Sequence, residues 1–164
     1  VSKVKLLSIF VMLLAILTIA QILEFDVSLM PEKRPNLIVA PNALFFVSGD
    51  LRIHEVLVYN TNLKTSVSWQ IGPSSRFIKI DTSNVPNPLG NLSGGMLKVN
   101  VNWQLVEAYA QRIDNPELIG IIGKLLHVQL PERPKFFGMG LFTVQEKIGN
   151  IYYPHVVTVY LLIK

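Results

Sequence analysis

The stretch Leu6–Leu23, LLSIFVMLLAILTIAQIL, constrains this chain more than any other. It carries no charge, and its polar members are Ser8, Thr18 and Gln21. As an α-helix rising 1.5 Å per residue it would be about 27 Å long, close to the hydrocarbon thickness of a bilayer. Lys3 and Lys5 precede it, and Glu24 and Asp26 follow. That asymmetry predicts a cytoplasmic N-terminus and an outward-facing remainder. Residues 1–26 therefore read as a membrane anchor, with residues 6–23 in the lipid. Two other readings compete. A secretory signal peptide could be cleaved after Thr18-Ile19-Ala20, so that the mature chain starts at Gln21. A pilin-like helix could be buried in a filament core. The apolar run continues through Ile22 and Leu23, which favours an uncleaved signal anchor. Lys3 and Lys5 would be expensive to bury in a filament.

Residues 27–36 form a spacer, with Pro31 and Pro35 around Glu32-Lys33-Arg34. Proline removes a backbone donor and biases its predecessor toward extended geometry, so this segment sets a distance rather than a fold. Residues 37–164 are enough for one domain with a core of its own. The chain has no cysteine, so packing and strand pairing must hold that domain. The two lysines and two carboxylates flanking the anchor cancel, so the net charge of +4 belongs to the remainder. Its basic residues are scattered and mixed with acids, as in Glu132-Arg133, which argues against nucleic acid as a partner. Charged residues are only 16% of the chain, which fits a domain that gives surface to a membrane, a partner or its own copies.

Alternating apolar and polar residues predict strands at Leu37–Val39, Leu44–Val47, Leu51–Asn60, Ser66–Ile71 and Phe77–Ile80. Gly72-Pro73-Ser74-Ser75 reads as a turn, and Asp81–Gly95 as an irregular region. Met96–Trp103 alternates most cleanly. It places Leu97, Val99, Val101 and Trp103 on one face, and with Trp69 these form the expected core. Leu105–Arg112 is open between a short helix and an extended excursion. Leu118–Leu130 reads as a strand, bulged at its glycines. Phe136–Lys147 and the segment after Tyr152-Tyr153-Pro154 complete a set of about seven to nine strands with at most one helix. Two stacked antiparallel sheets would bury these faces, and a closed barrel is the alternative. The expected fold is mainly β, one transmembrane helix followed by an antiparallel β-sandwich.

Val56–Asn62 followed by Val67–Ile71, with Gly94-Gly95 opening the strand Met96–Trp103, resembles an Ig-like sandwich over residues 41–103. The resemblance implies a tryptophan in the core and a role in binding proteins or carbohydrate, or as a spacer. In overall plan the chain also looks like archaeal surface-appendage accessory proteins. These carry one N-terminal membrane helix and one outward β-sandwich, which in the archaellum contacts the surface layer or the rotating filament. Lys3 and Lys5 depart from the uncharged starts of archaellin-like helices.

Little in the sequence points to catalysis. His54, His127 and His155 are far apart, without a metal-ligand spacing among them. Glu55 and Glu146 fall in strands, and Asp114 and Glu117 flank a turn. No spacing fixes a carboxylate pair across a cleft. Ser93 stands in N-L-S-G-G, not in a nucleophile elbow. Gly90–Gly95 lacks the lysine of a phosphate-binding loop and reads as a hairpin or loop. No catalytic residue, metal ligand or cofactor is therefore expected. Asn91-Leu92-Ser93 is an acceptor sequon, which makes Asn91 a candidate glycosylation site. Trp69 and Trp103 could form a sugar platform, but their place on apolar faces favours core packing.

The expectation is a non-enzymatic, membrane-anchored extracytoplasmic domain that binds an envelope, surface-layer or appendage protein. One alternative is an accessory subunit of a membrane enzyme complex. Another is a self-assembling, pilus-like homo-oligomer joined through Leu118–Leu130 and Val156–Ile163 by strand addition.

Overall fold

The computed structural model describes residues 35–50, 52–131 and 133–164. The anchor at residues 1–26, including the bilayer segment 6–23, and all but the end of the spacer lie outside the described residues. No helix among the described residues is long and apolar enough to cross a membrane. Residues 35–164 make one compact unit.

The first β-segment breaks in two. β1 (Leu37–Ala40) pairs antiparallel with β3 (His54–Asn60), whereas β2 (Ala43–Val47) pairs parallel with β9 (Ile151–Ile163). Pro41, which cannot donate to a ladder, stands at the switch, and the Ala40–Pro41 peptide is cis. β4 (Trp69–Ser74), β5 (Ile78–Asp81), β6 (Gly94–Val101) and β8 (Phe136–Ile148) complete two sheets. One has the order β1-β3-β6-β5 and the other β2-β9-β8-β4, with the short β7 (Gln111–Arg112) added to β8. Apart from β2 with β9, the neighbouring strands run antiparallel. This is an Ig-like sandwich order, with the leading strand shared between sheets. The sheets remain separate and do not close into a barrel.

Alternation places the core. Val56 and Val58 of β3, Leu97 and Val99 of β6, Phe142 and Val144 of β8, and Val157, Val159 and Leu161 of β9 are fully buried between the sheets. Trp69 and Val101 join them. The Trp69 indole N–H, which burial would otherwise leave unpaired, donates to the Pro86 carbonyl at 2.7 Å.

Three expectations need correction. Trp103 is not on the β6 face. The strand ends at Val101, because Asn102 caps α1 (Trp103–Tyr109) by accepting the Gln104 N–H. Trp103 is half-buried at the edge of the core. Leu118–Leu130 is not a strand either. Asn115 accepts the N–H groups of Glu117 and Leu118, and Pro116 occupies the first turn of α2 (Pro116–Leu125). Leu118, Ile119, Ile122 and Leu126 then fall on one helical face. The described residues thus hold two helices. Finally, Gly72-Pro73-Ser74 is not a free turn but the irregular end of β4, where its register on β8 shifts between Ile71 and Ser74.

Candidate interaction surface

β8 and β9 pair without interruption from Phe136↔Ile163 to Ile148↔Ile151. Their inward faces fill the core. Their outward faces carry Phe137, Met139, Leu141 and Thr143 on β8, and Leu162, Tyr160, Thr158 and Val156 on β9. Both faces of this ribbon are therefore largely apolar. α2 resolves half of that problem. Its Ile122 packs with Ile113, Phe137 and Leu162 in a second small core, bordered by Phe45, Val47, Met139 and Tyr160. Past the helix two apolar residues of the outer face are exposed, beside a Thr143 that is buried and donates to the Pro73 carbonyl. Leu141 is 42% exposed and Val156 is 45% exposed. Leu141 pairs with Thr158 and Val156 with Thr143, so the two apolar residues are diagonal neighbours on adjacent strands. They form a continuous apolar step beside α2, whose Ile121 and Leu125 are also exposed.

At the other end of the ribbon the inward position after Phe142 and Val144 is taken by Glu146, which has no exposed surface. It accepts the Asn36 N–H at 2.9 and 3.0 Å, the Leu37 N–H at 3.0 Å and the Asn36 side-chain amide at 3.1 Å. His155 Nε2 lies 3.4 Å away. Burial opposes the charge on Glu146. The hydrogen bonds from His155 and from the backbone N–H groups of Asn36 and Leu37 outweigh it, and hold the carboxyl below its ordinary pKa. The network continues through Asn62, whose amide donates to Asn36 Oδ1, and through buried Asn60, which donates to the Thr65 and Gly90 carbonyls. These groups satisfy one another. They fix where the chain enters the domain.

The other singled-out residues stay dispersed. His54 begins β3 and packs on the Phe46 ring, with centroids 4.2 Å apart. Burial, with a smaller contribution from Arg52, lowers its pKa. His127 is exposed after α2 at a φ of 52°. Among the described residues no three His, Cys, Asp or Glu side chains come together as metal ligands would. Glu55 is exposed opposite Lys98, and Asp114 pairs with Arg112 at 2.6 Å. Glu117 lies in the first turn of α2. Ser93 Oγ donates to the Gly90 carbonyl at 2.9 Å, closing a turn. Asn91 is exposed in the same turn and donates to the Leu63 carbonyl at 3.3 Å.

Three features are not evident from the sequence. Glu146 read as an isolated strand carboxylate, although its place in the Phe142, Val144, Glu146 alternation marks it as inward-facing. Asn36 fell in the spacer, with no signal that its amide would be recruited. The outer apolar step was hidden because β9 is apolar on both faces.

No family model matches the chain, and no curated protein matches it. Among solved structures, the chain is similar to the periplasmic chaperone SfaE, at 12% identity and a TM-score of 0.43. That likeness covers 78% of this chain and 57% of the chaperone, so the chain spans little more than half of that protein's length. It is also similar to WR4, a C. elegans MSP family member, at 9% identity and a TM-score of 0.38, over 80% of this chain and 100% of that one.

Proposed function

We propose that the chain is a non-enzymatic, membrane-anchored domain on the outer side of the membrane, and that it binds another envelope or appendage protein. The observation that carries this reading is the open apolar step of Leu141 and Val156 on an otherwise covered sheet face. Exposed apolar surface of this kind, bordered by threonines and a helix, suits a protein partner better than a soluble small molecule. The uncharged run Leu6–Leu23 and the lysines before it support the anchor and its orientation.

The test is site-specific photocrosslinking in intact cells, with a photoreactive residue at Val156 and, as a control, at Lys79 on the far sheet. The expected result is a discrete adduct with an envelope or appendage protein from Val156 only, lost when Leu141→Glu is added. Adducts to oxidoreductase or transporter subunits would move the protein to the accessory-subunit reading. Equal labelling from both positions would remove the surface.

A further inference from the structure

The strand registers gather three loops at the end where the chain enters. Leu37 pairs with Asn60, Tyr59 with Gly94, and Trp69 with Glu146. The β3–β4 connection (61–68), the β5–β6 connection (82–93) and the β8–β9 turn therefore share that end. The first two are joined directly. The Leu92 N–H donates to the Asn62 carbonyl at 3.2 Å, and Asn91 donates to the Leu63 carbonyl.

The residues these loops present are unusual for a solvated tip. Leu63 is 72% exposed and Leu92 48%, and Ile151 and Tyr152 are also exposed on the hairpin. Leu92 has a φ of 46°, a region that leucine rarely adopts. Its backbone is pinned there, because its carbonyl accepts the Tyr59 hydroxyl at 3.1 Å. An uncommon backbone conformation is thus held in place with its apolar side chain outward. Across residues 61–68, 82–93 and 147–152 the charged residues are Lys64 and Lys147, with no carboxylate among them.

We infer that this loop end rests on a lipid surface bearing anionic headgroups, with Leu63 and Leu92 in the interface and Lys64 and Lys147 at headgroup level. Apolar tips, a tyrosine and cations without acids are the combination that an interface favours. The inference rests on the membrane-anchor reading. Twelve residues separate Leu23 from Asn36, so in that reading the tether is no longer than about 45 Å when fully extended.

The chain has no cysteine, so single cysteines can carry a polarity-sensitive fluorophore. The full chain, labelled at Leu63→Cys, Leu92→Cys or Leu125→Cys, is reconstituted into phosphatidylcholine vesicles with and without phosphatidylglycerol. Leu125, 73% exposed on α2, lies at the opposite end and is the control. Expected is quenching by spin-labelled lipid at positions 63 and 92, at least threefold above that at 125. Lys64→Glu with Lys147→Glu should reduce it in the anionic vesicles. Flotation with all three labels equally unquenched overturns the loop contact alone. A chain that does not float with vesicles overturns the anchor, and the loop contact with it. A glycan on Asn91 in native membranes, found by mass, would also overturn the contact, because it would stand between these loops and the lipid.

Discussion

Glu146 on β8 accepts the backbone N–H of Leu37 at the start of β1, 3.0 Å away and 109 positions earlier in the chain. One buried carboxylate thereby ties the entrance of one sheet to the end of the other. The strand that carries it pairs with β4 on one side and β9 on the other, so the anchor point is rigid.

Glu146→Gln should cost about 2–3 kcal/mol, because the amide accepts poorly at its nitrogen and leaves buried donors short of a charged partner. The pH dependence has a definite sign. The folded-state pKa of Glu146 lies below its ordinary 4.5, so its contribution is complete above that value. It is lost as pH falls through the lower folded-state pKa. Urea melts of both proteins in mild detergent at stepped pH should converge in acid. A constant gap down to the acid end would show that the charge does not matter.

His54 should titrate below 6.5, because burial against Phe46 disfavours its charged form. The unfolded chain then binds a proton that the fold resists, so stability from this group is present above 6.5 and declines as pH falls toward the folded-state value. Two-dimensional NMR of the ring resonances measures the midpoint directly. A midpoint above 6.5 would contradict the packing.

Two glycines should respond in opposite directions. A Cβ at Gly140 would collide with the buried Phe77 ring and would come within 2.7 Å of Ser75 Oγ, so Gly140→Ala should cost about 1–3 kcal/mol. At Gly120, on the exposed side of α2, a Cβ meets nothing within 4 Å. Gly120→Ala should therefore gain up to about 1 kcal/mol through helix propensity. Thermal melts of the two variants, run side by side, should bracket the parent.

Phe142 has no exposed surface, and truncation to alanine should cost about 3–5 kcal/mol. Trp103→Ala should cost clearly less, because that ring is only half-buried at the mouth of α1. Equal losses would place Trp103 in the core after all.

The two-sheet architecture was legible wherever one face of a strand is polar. Lys98 and Asn100 frame Leu97, Val99 and Val101, and that segment reads correctly up to Val101. It fails at Trp103, because a capping asparagine at 102 looks like one more polar position in an alternating strand. α2 was misread for a related reason. Gly120 and Gly123 disfavour a helix, and the capping pair Asn115-Pro116 reads equally well as part of the turn that Asp114 and Glu117 flank. A Cβ at Gly123 would lie 2.8 Å from the tip of the Leu130 side chain, which would have to shift to admit it. The Glu146 clasp depends on a partner more than a hundred positions distant, and no local pattern encodes such a pairing.

The parallel pairing of β2 with β9 also sets an order of events in synthesis. Ala43 leaves the ribosome well before its ladder partner Thr158, which lies 115 positions later in the chain. Until then the edge formed by Phe45 and Val47 has no strand to join, and α2 has no Leu162 to cover. The newborn chain therefore carries an unmated strand while those 115 positions are translated. A chaperone or translocation channel that shields such an edge would help this protein most in that interval, and deletion of residues 158–162, which carry the pairing with β2, should harm its yield far more than their number suggests.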